Sequence, residues 1–310
     1  MVNFREAMWL FRNSRPNRGE LIVGLSGGLG NQLFQFAAGM ELATRHGLRL
    51  SIDSRTLRKQ SRRGEVAPRK LALTQFTLPV RKARLAHLVK LKMIRKFSSL
   101  LDRFGLDVGQ LLGYSHIREK GFAFSPITEE LRKFNYISGN WTSPQYFQET
   151  GTYLRTILTP ITPLSVEAKT LIEQIDGSNA ICVHVRRGDY VGTVDLLEEA
   201  YYRRGISYLR TLVGHQKAYI FSDDIAWCQR KIESAQNDVI VLPKHFAGND
   251  EAHDMALMGS FRNFVVANST FAWWAVWLAG ERVRHVVSPS PWSLLRDSDF
   301  VPEKWIKIDR

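Results

Sequence analysis

Two arginines stand at the end of an apolar run: Ala180-Ile181-Cys182-Val183 leads into His184-Val185-Arg186-Arg187-Gly188-Asp189-Tyr190. The run reads as a buried strand and Gly-Asp as a turn. Guanidinium groups leaving the C-terminal edge of a strand sit where open α/β sheets bind their ligands. They pair bidentately with phosphate oxygens and keep their charge, so the chemistry on offer is recognition of a diphosphate. The competing reading is a solvated turn in which Arg and Asp pair with each other.

Four further clusters bear on that choice. Gly27-Gly28-Leu29-Gly30-Asn31-Gln32 lies between a strand and a helix, where glycines let backbone approach a ligand and helix N–H groups point at it. It fails the dinucleotide fingerprint, which would need glycine where Leu33 stands, and no Gly-Lys-Ser/Thr makes it a P-loop. Its amides Asn31 and Gln32 suit hydroxyl groups, and a purely structural loop is the alternative. Asn268-Ser269-Thr270-Phe271 joins an apolar strand to an apolar helix; it is either an anion site built from hydroxyls and a helix N-terminus, or simple capping. Ser222-Asp223-Asp224 is either a divalent-ion site or a cap at Ser222 or Asp223. Asp254, early in an otherwise apolar helix, either caps a neighbour or accepts two N–H groups from a base such as guanine.

These clusters need strands and helices to position them. Strands at Leu21–Leu25 and Leu48–Asp53 flank a helix at Gln35–His46, a βαβ opening. Residues 55–112 read as irregular and basic; Tyr136–Gly139 reads as a strand and Gln145–Leu158 as a helix. Thr159-Pro160-Ile161-Thr162-Pro163 is the best linker, since two prolines forbid continuous helix or central strand. Strands then recur at Ala180–Val185, Ala218–Phe221, Val239–Leu242, Asn263–Ala267 and His285–Ser288. Helices separate them at Ala200–Val213, Ala226–Ser234, Glu251–Ser260 and Phe271–Leu278, after a first helix at Ser165–Ile175. The expectation is two Rossmann-like domains, 1–163 and 164–310, facing across a cleft.

With 310 residues, 44% apolar and 24% charged, the chain has the composition of a globular protein and no apolar run of membrane-spanning length. Met1–Pro16 lacks a signal-peptide core, which predicts a cytoplasmic protein. Cys182 and Cys228 form neither a disulfide framework nor a metal spacing. The net charge is +13, and from Val66 to Leu101 there is no carboxylate. Leu85, Leu88, Val89, Met93 and Phe97 recur there at roughly helical spacing, which predicts a basic amphipathic helix. Such a face meets nucleic acid, anionic lipid or an anionic substrate, or is merely solvated; no zinc-finger, RNP-like or helix-turn-helix pattern supports nucleic acid.

GGLGNQLFQFA, HVRRGDY, FSDDI, DMALM and ANSTFAWWAVWL, in this order, resemble the α-1,2-fucosyltransferases of glycosyltransferase family 11, from Leu21 to about Trp292. The loop from Val191 to Glu198 is shorter than in many relatives. The resemblance implies a metal-independent GT-B architecture and inverting transfer of L-fucose from GDP-β-L-fucose to a galactose hydroxyl of a glycan. It implies that Arg186 neutralises the leaving diphosphate, sharing its oxygens with Ser269, Thr270 and the helix start at Phe271. His184 and Asp254 would contact guanosine. Asn268, Ser222, Gly28 and Gly30 complete the expected donor site, and Asn31 faces the reacting centre. Asp189 and Asp195 are candidate bases, Asp189 alternatively bracing Arg187; a loose transition state would need no strong base. Two other readings stay open: a different nucleotide-sugar transferase of this architecture, or a basic RNA- or lipid-binding protein with a vestigial site. The basic 66–101 stretch is expected to touch an anionic membrane peripherally.

Overall fold

The computed structural model describes residues 19–62, 69–101, 112–235, 238–294 and 301–310. Two all-parallel sheets organise them. The first holds β1 (Glu20–Gly24), β2 (Arg49–Asp53), β3 (Arg81–Lys82), β4 (Tyr114–Arg118) and β5 (Phe134–Ser138) in the order β3-β2-β1-β5-β4. The second holds β6 (Ile181–Val185), β7 (Ala218–Ser222), β8 (Val239–Val241), β9 (Asn263–Val266), β10 (His285–Ser290) and β11 (Ile306–Asp309) in the order β11-β10-β9-β6-β7-β8. This is the dinucleotide-binding order, and with the first sheet it makes the α/β, GT-B-like pair of Rossmann-like units. Central strands such as Ile181–Val185 are buried along their whole length because helices cover both faces.

Helices alternate with the strands: α1 (Leu29–Arg45), α2 (Arg55–Arg62), α3 (Leu85–Leu101), α4 (Gly151–Ile157), α5 (Val166–Ile175), α6 (Glu199–Val213), α7 (Ile225–Lys231), α8 (Glu251–Met258) and α9 (Thr270–Ala279). In the second sheet the chain steps outward in opposite directions from the central pair β6 and β9, whereas in the first it runs outward from β1 through β2 to β3 and then returns inward from edge strand β4 to β5 beside β1. The crevice beyond the C-terminal ends of such a pair is where open sheets hold ligands. The fold therefore nominates the loops after β1, β6 and β9. An aromatic core joins the two units: Phe34 of α1 lies 4.7 Å from Trp273 and 5.0 Å from Trp274 of α9, and Phe147 stacks on Trp274 at 5.3 Å.

Several expectations shift. The helix expected from Gln35 begins at Leu29, because Gly27 (φ 74°) turns the chain and extended Gly28 serves as N-cap, while Leu29, Leu33 and Phe34 are buried. Asn31 and Gln32 thus ride on the first turn of a helix instead of a loop. The single helix expected over Gln145–Leu158 divides into a 3-10 turn, Pro144–Phe147, and α4. Ser143 caps the turn, and the buried Glu41 carboxylate accepts from Thr150 N and Oγ1, both at 2.9 Å, just before α4. Residues 55–112, read as irregular apart from the basic amphipathic helix, contain α2 and β3 as well as α3, which is that expected helix. Strands β3, β4 and β11 escaped the sequence because each carries charge: Arg81 and Lys82, Arg118, Lys307 and Asp309. Charges of this kind are typical at sheet edges. The linker is pinned at Pro160, bridged to Phe76, and at Thr162, whose Oγ1 lies 2.9 Å from His253 Nε2. Met1–Pro16 and the side chains of Arg95, Lys96 and Phe97 lie outside the described residues.

Candidate active site

The turn after β6 is held by the acid at the end of β7. Asp223 accepts from Arg187 N at 2.8 Å and Gly188 N at 3.1 Å, and its Oδ2 lies 2.9 Å from Arg186 Nη1. A Cβ on Gly188 would fall 2.7 Å from that Oδ2, so glycine is required by the clamp itself. Asp224, not Ser222 or Asp223, is the N-cap of α7: it accepts from Trp227 N at 3.2 Å and pairs with Arg187 Nε at 3.1 Å. Arg187 is further covered by Trp227, with guanidinium to ring centroid 4.0 Å. Both acids are thereby engaged by cations and N–H groups, which satisfies them as clamp and cap. Ser222 Oγ accepts from Asp224 N at 3.0 Å, within the same turn.

Arg186 is the arginine that faces the crevice. Its Nη2 lies 2.6 Å from Asp189 Oδ1, and the second oxygen of Asp189 takes Arg69 Nη2 at 2.7 Å. Asp189 therefore bridges Arg186 and Arg69 and does not brace Arg187. Burial opposes the charge of Arg186, but Asp223 and Asp189 outweigh it and raise its pKa. Burial likewise opposes the charge of Asp189, and Arg186 and Arg69 outweigh that, holding its carboxyl below the usual range. So low a pKa makes Asp189 a weak base.

His184, one residue inside the strand end, is buried 5.6 Å from the Phe271 ring, and its Nδ1 has no hydrogen-bond partner among the described residues. Desolvation, with Arg186 adding to it against Asp223, lowers its pKa to about 4, so the ring is neutral at neutral pH. Neighbouring β9 is followed by Asn268 and Ser269. Ser269 caps α9 by accepting from Phe271 N at 3.3 Å. Asn268 Nδ2 donates to Asp195 O at 2.9 Å, and Tyr190 Oη donates to Asn268 O at 2.9 Å. The β6 and β9 loops are thus tied together beside an N-terminal helix dipole that favours anions.

The first unit meets this edge through α1. Thr270 Oγ1 donates to Asn31 Oδ1 at 2.8 Å. Gly30 was expected against a ligand; a Cβ there would lie 2.5 Å from Phe271 N and 2.6 Å from Thr270 C, so what approaches is the backbone of α9. A Cβ on Gly28 would lie 3.5 Å from Arg69 Nη1, an ordinary contact. Gln32 holds the segment carrying Arg69: its Nε2 donates to Lys70 O at 2.8 Å and its Oε1 accepts from Ala72 N at 2.9 Å. Arg69 is the residue the sequence reading missed. It stood there among nine basic residues with nothing local to single it out.

Asp195, expected as a base, is consumed elsewhere. It accepts from Ser293 Oγ at 2.9 Å and Leu294 N at 2.9 Å and pairs with Arg310 at 3.1 Å. Burial opposes its charge, and Leu294 N, Ser293 and Arg310 outweigh it, so its pKa is lowered. It fastens the short 191–198 loop to the C-terminal segment. Asp254 lies on α8, whose N-cap is Asp250, so Asp254 is not the cap. Burial pushes its carboxyl up to about 6, against opposing help from His245, His253 and the Ala247 N–H. A half-buried acid short of donors is suited to accept N–H groups from a ligand.

The model of the family described as Glycosyl transferase family 11 matches residues 74–308. The chain is 30% identical over 303 residues to the alpha-1,2-colitosyltransferase of Escherichia coli, covering 94% of this chain and 99% of that protein. Over 147 residues it is 33% identical to the galactoside 2-alpha-L-fucosyltransferase SEC1 of Bos taurus, 42% of this chain and 38% of that one. Its fold is similar to that of the fucosyltransferase NodZ from Bradyrhizobium, with a TM-score of 0.50 at 17% identity, covering 91% of this chain and 97% of NodZ.

Proposed function

The chain belongs to glycosyltransferase family 11 and is a glycosyltransferase, and from that premise we propose that it moves L-fucose from GDP-β-L-fucose to the 2-hydroxyl of a galactose in a glycan acceptor, inverting the anomeric centre. The observation that carries this reading is Arg186, partly buried at the β6–β9 switch point, beside the start of α9, where Asp189 and Asp223 hold its guanidinium. Breaking the bond between fucose C1 and the β-phosphate oxygen builds negative charge on the diphosphate and oxocarbenium character on the sugar. Arg186, the α9 N-terminus and Ser269 meet that charge in a preorganised setting. Neutral His184 and Phe271 line the nucleoside, and Asp254 accepts the guanine N1–H and N2–H₂.

The acceptor oxygen bonds to C1 from the opposite face, and its proton leaves to water or to the released diphosphate. Asp189 and Asp195 are both ion-paired, which favours a loose transition state over strong base catalysis. Asn31, held by Thr270, orients sugar hydroxyls from the first unit. No metal takes part in this scheme, because the paired acids of β7 are spent on Arg186, Arg187 and backbone N–H groups.

Similarity to a colitosyltransferase over nearly the whole chain favours one second reading: transfer of colitose, which is L-fucose without its 3-hydroxyl. A site built to bond a hydroxyl rejects the analogue lacking it by large factors. Competition between GDP-fucose and GDP-colitose for a galactose-terminated acceptor, with linkage read by NMR, tests both. An α-1,2-fucosylated product supports the first reading, a colitosylated product the second, and absence of both overturns the donor assignment.

A further inference from the structure

Helix α3 carries two apolar faces. Leu88, Leu91 and Ile94 are buried against Ile22, Tyr114 and Tyr136 of the first sheet, which fixes the helix on the body of the protein. At about 100° per residue, Leu85, Val89 and Met93 form a row nearly opposite to that buried face. These side chains are 71%, 48% and 55% exposed. A helix anchored through one face normally presents polar residues on the other. Here the outer row is apolar, and it is bordered by cations. Lys90 and Lys92 flank it on either side, Arg81, Lys82 and Arg84 precede it, and all five are exposed. The sequence places no carboxylate between Val66 and Leu101 to offset them.

We infer that α3 is an interfacial docking helix that seats the enzyme on an anionic lipid surface. Leu85, Val89 and Met93 enter the boundary between headgroups and acyl chains, and the bordering lysines and arginines meet lipid phosphates. Charge complementarity selects the occupant. A nucleic acid would reward the cations and leave the apolar row wet, whereas an anionic bilayer rewards both. An amphipathic helix of this kind lies in the interface plane and binds the surface reversibly. The inference does not depend on which sugar the enzyme transfers.

The test is co-sedimentation of the whole chain with phosphatidylcholine vesicles, with and without phosphatidylglycerol. The expected result is binding only when phosphatidylglycerol is present, weakening with added salt. The triple variant Leu85→Ser, Val89→Ser, Met93→Ser should bind on the order of tenfold or more weakly. Lys92→Glu should lose on the order of fivefold or more, since each basic residue near such a surface contributes about that factor. Transferase activity on a water-soluble acceptor should remain in both variants. A second readout uses Val89→Cys carrying an environment-sensitive dye; Cys182 and Cys228 are buried, so labelling is selective. Its emission should shift to the blue on phosphatidylglycerol vesicles. An unshifted dye, no binding to anionic vesicles, or a triple variant that binds like the parent would each overturn the inference.

Discussion

The two sheet edges that meet at the candidate site are built on opposite plans. At the second edge, the residues lie within short stretches, 184–190, 222–224 and 268–271, and almost every polar atom is committed to a neighbour. Asp223 clamps the arginine turn, Asp224 caps α7 and sequesters Arg187, and Ser269 caps α9. The first edge reaches the site with Asn31 and Arg69, one on a helix turn and the other on a segment held by the Gln32 amide. The first plan is preorganised and suits a constant leaving group. The second offers amides and one guanidinium in a looser frame, which suits acceptors whose hydroxyl patterns vary. Among the described residues the edges meet through Arg69–Asp189, Asn31–Thr270 and the close approach of Gly30 to the α9 backbone.

Breaking the preorganised side should do the greatest damage. Arg186→Ala and Arg186→Lys are expected to lower kcat on the order of 10²-fold or more, because lysine cannot restore the planar fork. Neither should unfold the protein: Asp189 retains Arg69 and Asp223 retains its two backbone donors. A lysine variant turning over like the parent would remove Arg186 from the chemistry.

Contact between the edges is the next lever. Gly30→Ala would drive a Cβ into the α9 backbone, which cannot shift cheaply, and should cost about 1–3 kcal/mol in denaturant titration. Gly28→Ala meets nothing closer than the Arg69 guanidinium and should leave stability nearly unchanged. Equal losses at both positions would mean that the helix start, not the joint between units, sets the requirement.

Asp254 sharpens the nucleotide half. Because burial raises its pKa to about 6, protonation removes the acceptor below that pH, and GDP affinity should fall as pH drops through about 6. The stability effect has the opposite sense. A carboxyl raised in the fold binds its proton more tightly folded than unfolded, so its favourable contribution is lost as pH rises toward 6. Asp254→Asn should therefore bind GDP about tenfold more weakly at neutral pH, without a lower melting temperature and without the pH step. A variant that melts early and binds GDP normally would make Asp254 structural.

The smallest effect belongs to the looser side. Arg69 forms a partly exposed pair, so Arg69→Ala should change kcat/KM about fivefold and GDP affinity less. A loss as large as that of Arg186 would erase the contrast between the two edges.

The same contrast explains what could be read in the sequence. The second unit was legible because its site residues sit where strands end, and strand ends are marked by apolar runs breaking into Gly, Asn, Ser and Asp. The alternation of strand and helix implied the Rossmann-like class without fixing the order of strands within a sheet. What stayed hidden depends on long-range contact: Arg69 meeting Asp189 across 120 positions, Gly30 meeting α9, and Asp195 spent on Ser293 and Arg310. Charged edge strands such as Arg81–Lys82 lack the apolar pattern that reveals central ones.

If side chains and a helix N-terminus alone stabilise the departing diphosphate, transfer from GDP-fucose to a galactose-terminated acceptor in excess EDTA should keep its initial rate and yield an α-1,2-linked product. Transfer abolished by chelator and restored by Mg²⁺ or Mn²⁺ would contradict this and return Asp223 and Asp224 to consideration as ligands.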